Sequence, residues 1–271
     1  MIPRKLDESR TAMNHDTELK IVPVPAFQDN YLWVLRRGGF AALVDPGDAK
    51  PVLDYLAAEN LQLTAILVTH HHADHIGGLP EILSRHSVPV YGPRDDRIAA
   101  ATDRVGEGDR VTLNQLDATF RVIEVPGHTR AHIAYYGENL LFCGDTLFAC
   151  GCGRMFEGTP PQMLASLQKL AALPGDTKFY CAHEYTLANI AFARAVEPGN
   201  SVLAKRALSD AALREKNIPT VPSTIGAEIA TNPFFRCSEA EVIAAAATRL
   251  GRQPADAAET FGAIREWKNK F

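Results

Sequence analysis

Between residues 20 and 44 the apolar positions either alternate with polar ones or run together in short bursts. KIVPVPAF and NYLWVLRR flank a Gln-Asp turn, and FAALVDPGD is an apolar run closed by a Pro-Gly turn. Both patterns predict strands. AKPVLDYLAAENL repeats its apolar residues at helical spacing, whereas LTAILVTH is a solid apolar run of the kind found in a strand covered on both faces. HIGGLPEILSRH reads as a helix and VPVYGP as another strand. Residues 110–146 predict a β meander made of RVTL, ATFRVIEV, HIAYY and NLLFCGD. PPQMLASLQKLAAL is a helix with proline at its start, and TKFYCAH is a short strand.

After about Tyr185 the pattern changes. LANIAFARAVE, SVLAKRALSDAALREK, EAEVIAAAATRL and AAETFGAIREWKNKF are alanine-rich and helix-periodic, and the one strand-like stretch is the TIGAEIATNPF connection. The expected organisation is a mixed α/β domain over residues 19–185 and an all-helical domain over 186–271, with no fixed-period repeat. Residues 1–18 are polar and of mixed charge without an apolar segment, so they read as a disordered extension rather than a signal peptide.

Composition narrows the function classes. A net charge of −4 with no Lys/Arg run argues against nucleic-acid and membrane partners, and no apolar stretch has bilayer length. The five cysteines include no C-x-x-C pair, which excludes a zinc ribbon. Cys150-x-Cys152 reads as small residues in a glycine-rich loop, and the usage suits a reducing cytoplasm.

The chemistry lies in THHHADH, residues 69–75, which holds four of the nine histidines. Imidazoles and a carboxylate packed this tightly would face one another without partners, and a metal ion converts that conflict into shared coordination. The cluster starts where a strand stops. Alternation points His70 and His72 to one side and His71 away. Asp74 and His75 follow after the chain turns, placed for a second ion beside the first. Three more β segments each end on a donor: His128 in VPGHTRAH, Asp145 in LLFCGDTLF and His183 in FYCAHEY. Asp45 in LVDPGD either hydrogen-bonds a ligand histidine or is a plain turn aspartate.

T-H-x-H-x-D-H, P-G-H-T, C-G-D-T and a late A-H-E-Y together resemble the metallo-β-lactamase superfamily. The resemblance implies a four-layer αβ/βα sandwich with a dinuclear centre at one edge. It implies His70, His72 and His128 on the first metal, Asp74, His75 and His183 on the second, and Asp145 bridging both. His132 matches a motif histidine that is not a ligand, and Ala131 stands where that motif has glycine.

DNYLW (29–33), FACGCGRMFEGTP (148–160), HEYTLANIAFARAVEPGN (183–200), TNPFFR (231–236) and IREWK (264–268) resemble the glyoxalase II, or hydroxyacylglutathione hydrolase, family in order and spacing. That resemblance makes the helical tail a glutathione-binding domain, with contacts from Arg154, Tyr185, Arg265 and Lys268, and Phe156 where some members have tyrosine. It implies a cytoplasmic monomer with two divalent ions, zinc first, with iron or manganese as substitutes. The implied reaction is hydrolysis of S-D-lactoylglutathione and related S-2-hydroxyacylglutathiones by a metal-bridged hydroxide, the second step of methylglyoxal detoxification. Asp74 and Asp145 serve catalysis as well as metal binding in that scheme. The alternative is a mononuclear-iron persulfide dioxygenase of the same superfamily. The basic residues of the tail have a physical rationale, since glutathione carries two carboxylates and arginine binds a carboxylate through a forked pair of hydrogen bonds.

Overall fold

Two six-stranded sheets lie face to face in the computed structural model, which describes residues 18–271. All but the last residue of the extension expected over 1–18 falls outside the described residues. The first sheet starts with an antiparallel meander, β1 (Lys20–Ala26), β2 (Asn30–Arg37) and β3 (Phe40–Val44). Helix α1 (Ala49–Ala58) crosses to β4 (Gln62–Leu67). The short helices α2 (Ala73–Ile76) and α3 (Leu79–Arg85) then lead to β5 (Val90–Pro93) and β6 (Asp103–Val105), and β3 to β6 are mutually parallel.

The second sheet contains β7 (Arg110–Leu113), β8 (Ala118–Glu124), β9 (Ile133–Gly137) and β10 (Leu140–Gly144), an antiparallel run that matches the predicted meander. A two-stranded hairpin, β11 (Leu147–Phe148) and β12 (Gly151–Cys152), precedes α4 (Pro160–Ala171). Strand β13 (Lys178–Cys181) then runs parallel to β10. The remaining chain forms α5 (Thr186–Val196), α6 (Ser201–Glu215), β14 (Ser223–Thr224), α7 (Ile225–Thr231), α8 (Ala240–Leu250) and α9 (Ala257–Asn269). Strand β14 pairs with β13, so the helical tail also supplies an edge of the second sheet.

The solid apolar runs have their reason in two cores. Trp33, Leu35, Ala42, Val44, Ala65 and Leu67 point between the sheets, toward Phe120, Val122, Tyr135 and Phe142. The alternate residues Leu32, Val34, Leu43 and Ile66 point outward and pack on Val52 and Leu56 of α1 and on Leu79 and Ile82 of α3. A strand covered on both faces has no polar side to show. Helices therefore flank the paired sheets, giving the expected αβ/βα layering, and no helix among the described residues is long and apolar enough to cross a membrane.

Three local expectations need correction. HIGGLPEILSRH is two helices, not one, because the chain breaks at Gly77 and Gly78. A Cβ on Gly78 would lie 2.5 Å from the Pro46 carbonyl oxygen, so this turn packs directly on the β3–α1 turn. TIGAEIATNPF is strand only at its first residue, Thr224, the end of β14; residues 225–231 are helix α7, and 232–234 form the turn after it. Thr224 caps α7 by accepting from Ala227 N at 3.2 Å, which turns an apolar stretch into a helix start. Strand β6 went unforeseen, since two of its three residues are exposed and it lacks a pattern.

Candidate metal centre and adjoining cavity

Strand ends deliver the donors. Beyond β4, Asp45 holds the start of the cluster: its two carboxylate oxygens accept from Thr69 N and Thr69 Oγ1, both at 2.7 Å. Ile133 N donates to Thr69 O at 3.0 Å, tying the cluster to the opposite sheet. At the end of β10, Gly144 has a φ of 48°, and a Cβ there would strike Thr69 Oγ1 and the His132 ring. Only glycine lets the chain turn here and aim Asp145 inward.

Three sets of donors converge, each with its atoms within 4.8 Å of one another: His70, His72 and His128; His70, His75 and Asp145; Asp74, His75 and His183. The tautomers show what such a set fits. His128 Nδ1 donates to the Arg154 carbonyl at 2.8 Å, which leaves Nε2 a bare lone pair. Thr69 Oγ1 gives its proton to Asp45, so at 3.1 Å it accepts from His70 Nδ1, and His70 Nε2 is bare too. Both lone pairs point at His72 Nδ1, at 3.1 and 3.0 Å, and one nitrogen cannot satisfy both well. A cation satisfies all three.

The neighbouring donors are richer in negative charge. His183 Nδ1 is 2.8 Å from Asp29 Oδ1, while its Nε2 faces Asp74 Oδ2 at 3.3 Å and Asp145 Oδ2 at 3.5 Å. His75 Nε2 lies 3.4 Å from Asp145 Oδ1 and 3.6 Å from Asp74 Oδ2. Its Nδ1 is 3.0 Å from Asp45 Oδ2 but off the line of a hydrogen bond, so both nitrogens of this buried ring remain unsatisfied, as does Asp145 Oδ1. Asp145 Oδ2 also lies 3.5 Å from His128 Nε2 and so stands between the two groups.

Electrostatics divides them the same way. Burial lowers His70 and His128, and together with the His128 ring it lowers His72 to about 4, so these three rings are neutral and offer lone pairs that could hold a cation. Burial works against charge on His183 as well, but Asp145 and Asp74 outweigh it and raise that ring to about 10. His75 is raised for the same reason, by Asp145 and Asp45. This half of the centre calls for positive charge. Neutral imidazoles beside carboxylates at sheet ends form a divalent-metal site.

The residues set apart in the sequence reading fall elsewhere. His71 turns away from His70 and His72, with Nδ1 3.4 Å from Asp95 Oδ2. His132 is buried behind the centre, stacked 4.5 Å from the His70 ring, and its Nε2 accepts from Asp145 N at 3.2 Å. Ala131 is not among the residues with left-handed backbone, so glycine is not required there. The five cysteines are all buried and free.

A cavity of about 520 Å³ opens beside the centre, lined by the donors His128 and Asp145 together with Arg154, Tyr185, Arg265 and Lys268. Tyr185 stacks on His183 at 4.7 Å with the planes 5° apart. Phe156 is exposed, its ring 5.3 Å from that of His128. Arg265 is 4% exposed; Nη1 donates to the Cys152 carbonyl at 2.8 Å and Nη2 to Asn269 Oδ1 at 3.1 Å. Lys268 donates to the Ala188 carbonyl at 3.1 Å. Burial and the charges of Arg265 and Arg154 lower its pKa, so the cavity carries a positive field.

Three supporting residues escaped the sequence reading. Asp29 begins the DNYLW motif and sits in the Gln-Asp turn, which by itself assigns it no role, yet it contacts His183. Asn30 donates to Asp74 Oδ2 at 3.1 Å, and Thr69 fixes the His70 tautomer. Their sequence signal was membership of the DNYLW and THHHADH motifs, which gave no hint of which partner each would meet.

Family models and individual relatives match the chain along its length. The metallo-beta-lactamase superfamily model matches residues 27–183, and the hydroxyacylglutathione hydrolase C-terminus model matches 184–271. A hydroxyacylglutathione hydrolase of Cupriavidus metallidurans is 54% identical over 265 residues, covering 93% of this chain and 99% of its own. One from Nitrosomonas eutropha is 51% identical over 253 residues, with the same coverage. Among solved structures, TTHA1623 in a di-iron-bound form is 28% identical with a TM-score of 0.52, covering 60% of this chain and 91% of that one. With both family models accounting for nearly every described residue and relatives this similar over their whole length, the chain belongs to the hydroxyacylglutathione hydrolase family of the metallo-beta-lactamase superfamily.

Proposed function

We propose that this protein hydrolyses S-D-lactoylglutathione and related S-2-hydroxyacylglutathiones to the hydroxy acid and glutathione, with two divalent ions per chain. Of the metals that suit imidazole and carboxylate donors, we assign zinc, with iron and manganese able to replace it. His70, His72 and His128 would hold one ion and Asp74, His75 and His183 the other, with Asp145 placed to serve both. A relative bound to two irons supports the count. When bound, such ions acidify a water molecule toward neutral pH and polarise a carbonyl.

The observation that carries this reading is the single cavity that joins metal donors to three cations. Arg154 and Lys268 face the carboxylates of glutathione, and Arg265 braces the Cys152 carbonyl while adding its charge. Tyr185 walls the cavity beside His183 and keeps the thioester against the centre. Asn30 and Asp29 hold Asp74 and His183 in place while water replaces the thiolate at the acyl carbon. The thiolate is already a good leaving group and requires no strong general acid.

The test combines metal analysis of purified protein with S-D-lactoylglutathione hydrolysis before and after chelation. Two ions per chain and chelator-sensitive hydrolysis are expected. One iron per chain with oxygen uptake on a glutathione persulfide would instead identify the dioxygenase alternative.

A further inference from the structure

One ion pair at the cavity rim joins three segments of chain that do not line the cavity in the same way. The turn after β12, residues 153–158, carries Arg154 and Phe156 into the cavity. It is zipped to residues 127–130: Gly158 N donates to the Gly127 carbonyl at 3.0 Å, Phe156 N to the His128 carbonyl at 3.1 Å, and His128 Nδ1 to the Arg154 carbonyl at 2.8 Å. Glu157 faces outward from this zipper. Its Oε2 accepts from Arg130 N at 2.7 Å and from Arg97 Nη2 at 3.2 Å, and its Oε1 accepts from Arg97 Nη1. The other edge of the Arg97 guanidinium donates to Asp95, from Nε at 2.9 Å and Nη2 at 2.8 Å.

Asp95 is buried just past β5, so Arg97 forks between a fixed carboxylate on the first sheet and a carboxylate on the cavity turn. His71 fills the same junction, with Nδ1 3.4 Å from Asp95 Oδ2 and Nε2 3.9 Å from Glu157 Oε1. The one histidine of the cluster that faces away from the metal donors thus has a place beneath this turn.

We propose that Arg97 and Glu157 form a clasp that positions the 153–158 turn and so sets, through Arg154, how firmly glutathione is held. The inference rests on the glutathione-thioester reading for its ligand. Arg97 is absent from the cavity lining and 47% exposed on its side chain, so it is a positioning residue. Losing the clasp leaves the backbone zipper and the His128–Arg154 bond intact. The turn loosens around Glu157; Arg154, three residues earlier, keeps its backbone bond to His128 but its side chain is held less firmly in the cavity, while His128 stays in place. Affinity for the remote part of the substrate therefore falls and the chemical step is spared.

The variants are Arg97→Ala, Glu157→Gln and the double variant, with Arg97→Lys as a milder change that keeps the charge but loses the fork. Each single variant should raise KM for S-D-lactoylglutathione, and weaken glutathione binding by calorimetry, about three- to tenfold, the scale of one partly exposed charged hydrogen-bond pair. Bound metal should match the wild type, kcat should stay within about threefold, and the double variant should be no worse than the poorer single one. Arg97→Lys should fall between. Hydrogen exchange across residues 153–159 should speed up in Arg97→Ala, whatever the ligand. Unchanged KM and glutathione affinity overturn the proposal, as does unchanged exchange. Loss of metal with an equal fall in kcat for a thioester lacking glutathione also overturns it, by making the network a support of the metal centre. A wild-type chain that fails to bind glutathione refutes the functional reading instead, and the exchange experiment still decides whether the clasp holds the turn.

Discussion

Replacing Arg265 with alanine separates two roles that the α9 cations combine. The side chain is 4% exposed, and its shortest bond goes to the Cys152 carbonyl on β12, at 2.8 Å. Removing a charged donor from a buried carbonyl costs about 1.5–3 kcal/mol. The second bond, to exposed Asn269, is replaceable by water and adds little. The guanidinium also lies 5.1 Å over the Phe234 ring, a contact worth about 0.5–1 kcal/mol. Together these give a destabilisation of about 2–4 kcal/mol, or roughly 5–10 °C in melting temperature for a chain of this size. Lys268→Ala removes a half-buried cation that bonds a helix carbonyl and lies 5.3 and 5.5 Å from the Phe192 and Phe271 ring centres. It should cost about 1 kcal/mol, roughly 2–4 °C in melting temperature and less than Arg265→Ala. Lys268→Ala should raise KM for the glutathione thioester about tenfold, in line with one lost charged hydrogen bond. Arg265→Ala should raise it too, through its lost charge and the loosened β12, and should melt earlier than Lys268→Ala. Thermal unfolding followed by circular dichroism, alongside steady-state kinetics, makes the comparison. If Arg265→Ala melts with the wild type, its guanidinium is not the brace of β12 described here.

Asp145→Ala should lose much of the bound metal and all but a small residue of hydrolysis; a variant that keeps both ions and more than about a tenth of wild-type kcat would refute its place between the two groups. His71→Ala should retain both ions, because its ring faces Asp95 rather than His70 and His72, and metal analysis showing a single ion per chain would reverse that assignment. Lys268 loses its proton at lower pH than a free lysine, so the positive charge facing glutathione disappears as pH rises and KM should climb on the alkaline side. Lys268→Arg keeps its charge and should move that climb to higher pH; an identical pH profile of KM in the two proteins would remove Lys268 from binding.

The donors of the centre were legible in the sequence because each follows a strand, and a strand's end is marked by an apolar run meeting Pro, Gly or a polar cluster. Strand alternation alone placed His71 opposite His70 and His72. The helices of the tail were legible for a similar reason, since apolar spacing survives without knowledge of partners. What the sequence could not carry was any contact made across the fold. Asp29 looks like a turn residue until β13 brings His183 to 2.8 Å from it. Arg265 looks like a surface charge until β12 covers it, and its spacing from Lys268 on α9 is the same whether the helix face meets water or protein. The clasp of Arg97 with Glu157 joins residues 60 positions apart in loops with no periodic pattern. Local spacing records which way a side chain leaves its own element, whereas burial, pairing and the sharing of one cavity depend on what the tertiary structure packs opposite.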